Sequence, residues 1–233
     1  MRVAVIQSSY IPWRGYFDII REVDLFVFYD DLQYSKGGWR NRNRIKTPQG
    51  PRWLTVPVHH RNLKQTIDEI SLNNLQDWAS NHLRRLEANY CKAPHYAFYV
   101  GAFADLLRKT WSNLSELNIA LCHWVMGCLG IRTPTLHSRT LGLEGHKTDR
   151  LLQLLTKVGA TTYLSGPSAE AYLEVDRFRE AGIALEYKVY DYPEYPQLWG
   201  PFEGQVSILD LLFNMGSEAP AYLLSRSPNR KIL

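Results

Sequence analysis

The run Val3-Ala4-Val5-Ile6-Gln7-Ser8-Ser9-Tyr10-Ile11-Pro12-Trp13-Arg14-Gly15-Tyr16-Phe17-Asp18 decides the fold, together with Leu25-Phe26-Val27-Phe28-Tyr29-Asp30-Asp31 just after it. Val3 to Ile6 is a short, uninterrupted apolar segment, as a parallel strand covered on both faces requires. Tyr16, Ile19, Ile20 and Val23 then recur at helical spacing, and Leu25 to Phe28 is a second buried-strand candidate. The opening therefore reads strand, loop, helix, strand. Open α/β sheets bind ligands beyond the carboxyl ends of their strands, and polar or aromatic residues stand at both exits: Gln7, Tyr10, Trp13 and Tyr16 at the first, Asp30, Asp31, Gln33 and Tyr34 at the second.

A third cluster follows, Trp39-Arg40-Asn41-Arg42-Asn43-Arg44-Ile45-Lys46, inside a stretch from Lys36 to Arg52 that holds six cations and no acid. On an extended chain Arg40, Arg42, Arg44 and Lys46 share one side, a row suited to clamping phosphates. Asp30 and Asp31 are candidate Mg²⁺ ligands, because that ion is usually held by one or two carboxylates with phosphate oxygens completing its shell. A solvated basic strand neutralised by the two acids explains the same residues equally well.

Removing those six cations from the formal net charge of +4 leaves the remaining chain at −2, so basicity is local. This favours a small phosphate-bearing ligand and argues against a nucleic-acid track, which needs a broad basic face. The 233 residues, 45% of them hydrophobic, suffice for a substantial core. Three cysteines without C-x-x-C spacing argue against a disulfide framework or a zinc ribbon and fit a reducing, cytoplasmic setting. The apolar start is too short for a secretory segment, and the most apolar helix candidate, Leu117 to Leu129, is too short to span a membrane.

Further along, Trp53 to Val58 reads as a strand, with Pro57 marking its end or an edge. His59 and His60 follow, and on an extended chain they face opposite ways. Leu75, Trp78, His82, Leu86 and Tyr90 line one face of a helix over 75–90, which makes His82 a core residue. With an aromatic helix from Tyr99 to Trp111 and the apolar helix after it, 75–130 reads as a helical insertion between an N-terminal α/β half (1–74) and a C-terminal one (131–233). In the latter, Thr148 is the expected N-cap of a helix ending at Gly159, and Thr161 to Leu164 is a strand. Ser165-Gly166-Pro167-Ser168 then opens a helix whose free amides suit an anion, although any tight strand-to-helix turn favours these residues. Ile183 to Tyr190 closes the sheet, Asp191 to Gln197 is an aromatic loop offering Tyr195 for stacking and Gln197 as a donor, and Ser207 caps a last apolar helix. The tail after Ser225 is expected to fray. The fold class is thus α/β, a Rossmann-like, mostly parallel sheet with a helical insertion, and Gln7, Asp30 and Ser165 are expected at one sheet edge.

Six blocks spread over the chain carry a family resemblance: Tyr10 to Asp18, Asp30-Asp31-Leu32-Gln33-Tyr34, Trp39 to Asn43, Leu54 to Val58, Tyr163-Leu164-Ser165-Gly166-Pro167 and Ile208 to Asn214. In this order they resemble the WbqC-like family, with Gln7-Ser8 standing where that family usually has Gln-Pro. The resemblance implies surface-polysaccharide or O-antigen metabolism and, from a role suggested for one member, transfer of a glycyl group. The opening also resembles the nucleotidylyltransferase superfamily, implying ATP or another nucleotide with Mg²⁺, although Pro12-Trp13-Arg14-Gly15-Tyr16 stands where that superfamily carries its histidine signature. The expected activity is aminoacyl transfer to the amine of a sugar or sugar nucleotide. Arg40 and Arg42 would hold phosphate, Asp30 or Asp31 would bind metal or accept the proton, and Gln33, Tyr34 and Asn41 would orient substrate. Nucleotidylyl transfer and non-catalytic binding of a sugar or nucleotide are the alternatives; the partner is expected to be a small molecule, a sugar, sugar nucleotide or amino acid, and oligomeric state is left open.

Overall fold

The computed structural model describes residues 1–62 and 64–232. The opening is as read: β1 (Arg2–Ile6), α1 (Arg14–Arg21) and β2 (Leu25–Phe28), with β1 and β2 parallel from Val3 opposite Leu25 to Ile6 opposite Phe28. Between β2 and the next strand of this sheet come two antiparallel hairpins, β3 (Arg42–Ile45) with β4 (Arg52–Thr55) and β5 (Val58–His59) with β6 (Ser71–Leu72). Three helices follow: α2 (Trp78–Tyr90), α3 (Tyr96–Leu107) and α4 (Leu114–Cys128). The chain then re-enters the sheet through β7 (Thr135–His137), α5 (Lys147–Lys157), β8 (Thr162–Ser165), α6 (Val175–Glu180) and β9 (Ala184–Tyr187), and closes with α7 (Ile208–Met215) and β10 (Arg230–Lys231).

The main sheet has the order β10-β9-β8-β1-β2-β7. Every pairing is parallel except β10 on β9. Growth thus starts at β1, proceeds outward through β2 to β7, and resumes on the other side of β1 with β8 and β9. The order reverses between β1 and β8, and all five parallel strands deliver their carboxyl ends to one edge.

Strand alternation sorts the two cores. Val3, Val5 and Val27 pack with Leu151, Leu155 and Phe178 of α5 and α6. Ala4, Phe26 and Phe28 pack on the opposite face with Ile19 of α1, Leu117 of α4 and Leu209 of α7. The uninterrupted apolar runs of β1 and β2 follow from this burial on both sides.

Four local expectations are corrected. The 53–58 strand is split into β4 and β5, since Pro57 has no N–H for a ladder. Leu75 lies outside α2 and is 92% exposed, the helix starting instead at Trp78 behind Asp77, whose carboxylate accepts from Ser80 N. Thr148 sits buried in the first turn of α5, whose N-cap is His146. The tail does not fray at Arg230 and Lys231, which pair with Tyr187 and Glu186 and form the outermost strand beyond β9.

Candidate functional site

A cleft of about 1210 Å³ opens at the carboxyl edge where the strand order reverses. Open α/β sheets place ligands at such a switch point, and the volume exceeds the roughly 300–1,000 Å³ usual for small-molecule pockets. Its floor is Ile6 at the end of β1 with Gln7 and Ser9 after it, and Tyr163 and Ser165 of β8 with Gly166 after it. One wall carries Pro12, Trp13, Arg14 and Tyr16 of the loop and α1, faced by Tyr190 and Tyr192 beyond β9. The other wall is built by Lys147, Thr148 and Leu151 of α5 and by Tyr172, Leu173 and Glu174 before α6. Trp39, Arg40, Gln205 and the buried Asn43 complete the lining.

The loop from Ser8 to Trp13 is held against its own preference. Ile11 has φ 37, an outlier for a β-branched residue, and strain of this kind persists only where the surroundings over-determine it. Here Asn43 Nδ2 donates to Tyr10 O at 3.2 Å and to Ile11 O at 2.8 Å, and Ile208 N donates to Pro12 O at 2.9 Å. Asn43 of β3 and Ile208 of α7 thereby fix the curve on which Trp13 and Arg14 are presented. Trp13 folds back over α1: a Cβ on Gly15 would lie 2.3 Å from its ring, so with the indole in this place only glycine fits there. Edge contacts to Tyr190 at 4.9 Å and Tyr192 at 5.9 Å complete an aromatic wall.

Two arginines on this lining have backbone carbonyls for partners. Arg14, 6% exposed, donates from Nη1 to Pro193 O at 2.7 Å and Tyr222 O at 3.2 Å, leaves Nε without a partner, and lies 4.8 Å from the Tyr192 ring centre. The half-buried Arg40 donates from Nη1 to Gln7 O at 3.0 Å and Ser8 O at 3.1 Å. Burial lowers both guanidinium pKa values, and the fields of Asp210 near Arg14 and Asp30 near Arg40 oppose that shift. Among the described residues no carboxylate forms a salt bridge with Arg14, Arg40, Arg42 or Arg44.

Of the residues singled out from the sequence, Gln7, Trp13, Tyr16, Trp39, Arg40, Ser165 and Gly166 line the cleft. The others point elsewhere. Asp30 is fully buried, accepting Ser8 N at 2.6 Å on one carboxylate oxygen and the Ser115 hydroxyl on the other. Asp31 accepts from Ser138 Oγ and pairs with Arg150 instead of the basic segment. All four carboxylate oxygens accept from protein donors and neither residue lines the cleft, so the pair is not placed to hold a Mg²⁺ ion there; among the described residues no three of His, Cys, Asp and Glu are grouped for a metal. Tyr10 is buried against His82, Asn41 Nδ2 donates to Val56 O at 2.8 Å, Gln33 bridges to Thr66, and buried Tyr34 packs on His60.

The expected row of four cations is also broken up. Arg42 lies over Trp53, and Arg44 reaches Gln205, whereas Lys46 turns inward to Gln197 Oε1 and Pro201 O. Tyr195 and Gln197 both donate to Asp210, at 2.9 and 2.7 Å, beneath the aromatic loop. Its cleft-facing ring is Tyr192, fixed by its own bond to Asp18 at 2.8 Å. Asp18 is in turn salt-bridged to the buried Lys188 at 2.6 Å, which also holds Glu22 at 2.6 Å. Sequence reasoning passed over Arg14, Asn43, Lys147, Tyr190, Tyr192 and Glu174. The available signal was position: Arg14 is the cation inside the first turn, and Tyr192 belongs to the loop already marked for stacking.

Fold and cleft together define an α/β protein with a cation-lined, aromatic-walled pocket at the sheet's switch point. The model of the WbqC-like protein family matches residues 7–222, and the chain belongs to that family. It is 48% identical over 229 residues to the uncharacterized protein Rv1507c of Mycobacterium tuberculosis (strain ATCC 25618 / H37Rv), covering 95% of this chain and 97% of that one. No solved structure matches it.

Proposed function

We propose that the cleft binds a phosphate-bearing sugar or nucleotide and that the chain is a transferase of surface-polysaccharide or amino-sugar modification, passing an aminoacyl group, in the simplest case glycyl, to an amine. The observation that carries the reading is the pair Arg14 and Arg40: cationic, withdrawn from water, bonded to carbonyls and lacking a salt-bridged acid. Charge held that way in a protein is costly unless something neutralises it, and a ligand phosphate or carboxylate does so. The doubly wound strand order supports a Rossmann-like, nucleotide-using ancestry. The aromatic wall of Trp13, Tyr190 and Tyr192 suits the flat face of a base or sugar.

In this reading the acceptor amine attacks the carbonyl of an activated acyl phosphate or acyl-adenylate. A C–N bond forms, the acyl C–O bond breaks, and the phosphate leaves with the electron pair beside the arginines. The proton lost by the amine passes to Glu174, a carboxylate of the cleft lining, in the role expected of Asp30 or Asp31, neither of which lines the cleft. ATP or another nucleotide would supply the activation. The placement of Asp30 and Asp31 outside the cleft lining, bonded to protein donors, favours, as a second reading, a non-catalytic binder of the same ligands.

The test measures thermal stabilisation by ATP, UDP-N-acetylglucosamine, glycine and neutral sugars, because a ligand that prefers the folded state raises its melting temperature. Stabilisation by a phosphate-bearing compound, lost in Arg40→Ala, is expected; stabilisation by neutral sugars alone would sink the anion site. Turnover abolished in Glu174→Gln with binding retained separates the enzyme from the binder.

A further inference from the structure

At the rim, two tryptophans remain in solvent. Trp39 is 43% exposed and Trp53 38% exposed, and their rings lie 5.1 Å apart at 44°. Trp53 stands on β4 opposite Arg44 of β3. The Arg42 guanidinium is 4.2 Å from the centre of the Trp53 ring, and that of Arg44 is 5.7 Å from both rings. Each arginine is pinned: Arg42 donates to Gly37 O, and Arg44 to Gln205 Oε1 at 2.8 Å. Arg85 adds a further cation, donating from Nη1 to Trp53 O at 2.7 Å. Among the described residues none of these arginines has a salt-bridged acid. Trp39 and Gln205 also belong to the cleft lining, so the ledge is continuous with the pocket.

We propose that this ledge is a second subsite, for an acidic saccharide chain that continues out of the cleft, and that the acceptor is therefore an oligosaccharide bearing carboxylate or phosphate. The inference rests on the reading of the cleft as the ligand site. Apolar faces of sugar rings stack on exposed indoles, while pinned guanidinium groups offer planar, directed donors to carboxylate or phosphate. Ordering the arginines beforehand lowers the entropy lost on binding. A membrane surface fits less well: each ring is more than half covered and leans on its neighbour, leaving little to insert among lipid chains.

The experiment uses the full chain and follows tryptophan fluorescence with oligogalacturonate, a neutral oligosaccharide of equal length, UDP-N-acetylglucosamine, and vesicles containing phosphatidylglycerol. Oligogalacturonate should bind in preference to the neutral chain and quench the indoles. Trp53→Ala and, separately, Arg44→Gln should each weaken it about tenfold, the factor that roughly 1.4 kcal/mol represents, with UDP-N-acetylglucosamine unaffected. Failure to bind oligogalacturonate, equal affinity for the neutral chain, unchanged affinity in both variants, or preference for the vesicles each overturns the ledge. Failure of the cleft reading looks different: wild type and Arg40→Ala then treat UDP-N-acetylglucosamine alike.

Discussion

Two polar regions meet at the end of β1, and they are built on opposite terms. Behind the loop, Asp30, Tyr10, His82 and Asp210 are buried with protein donors and acceptors on every side. On the cleft side, Arg14 and Arg40 are bonded to carbonyls and matched by no salt-bridged acid. Saturated groups hold the loop in shape; unmatched ones leave a charge for something else to meet. The sign and satisfaction of a charge, more than its burial, therefore separate scaffold from site.

The contrast breaks most visibly at Asp30. Asp30→Ala removes two hydrogen bonds to a carboxylate, each worth roughly 1.5–3 kcal/mol, so a loss of about 3–6 kcal/mol in urea unfolding is expected. A variant that keeps its stability and loses only turnover would return Asp30 to the chemistry.

His82 comes next. Burial pushes its imidazole down to about 4, with Tyr10 OH on Nδ1 and Thr55 O beside Nε2 fitting the neutral ring. Because the folded value lies below the unfolded one of about 6.5, the unfolded state takes up the proton first on acidification. Stability is thus complete above about pH 6.5 and falls by up to roughly 3 kcal/mol as pH drops toward 4. Unfolding free energy measured across that window, against His82→Gln as reference, checks it; parallel curves refute it.

On the other side of the comparison, Arg40→Ala should weaken binding of a phosphate ligand by about 1.5–3 kcal/mol, read by calorimetry, with a smaller change in melting temperature than Asp30→Ala produces. The reverse ranking would merge the two regions into one. The smallest effect belongs to Ser207, whose hydroxyl caps α7 by accepting Leu209 N at 3.2 Å. Ser207→Ala should cost about 1 kcal/mol of stability and leave ligand affinity untouched.

The opening strand, helix and second strand were legible because burial on both sides demands continuous apolar residues at 3–6 and 25–28. The edge strand at Arg230 and Lys231 was not, since two charged residues pairing through their backbones carry no hydrophobic pattern. Within the site, Gln7 and Ser165 were legible together because a parallel sheet brings distant strand ends to one edge. The orientation of Asp30 and Asp31 depends on Ser115, Ser138 and Arg150, which approach from other elements, so local spacing could not reveal it. In the aromatic loop, Tyr192 and Tyr195 look interchangeable in sequence; Asp18 takes one and Asp210 the other.

The ring of Trp13 occupies the space into which a side chain at position 15 would grow. These two positions are consequently a single heritable character. Among descendants of a common ancestor, a residue larger than glycine at 15 should be found only where the indole at 13 has been lost or turned out of this place. A lineage that mutates 15 first must pass through a form whose indole has left its place over α1 and, with it, the edge contacts to Tyr190 and Tyr192.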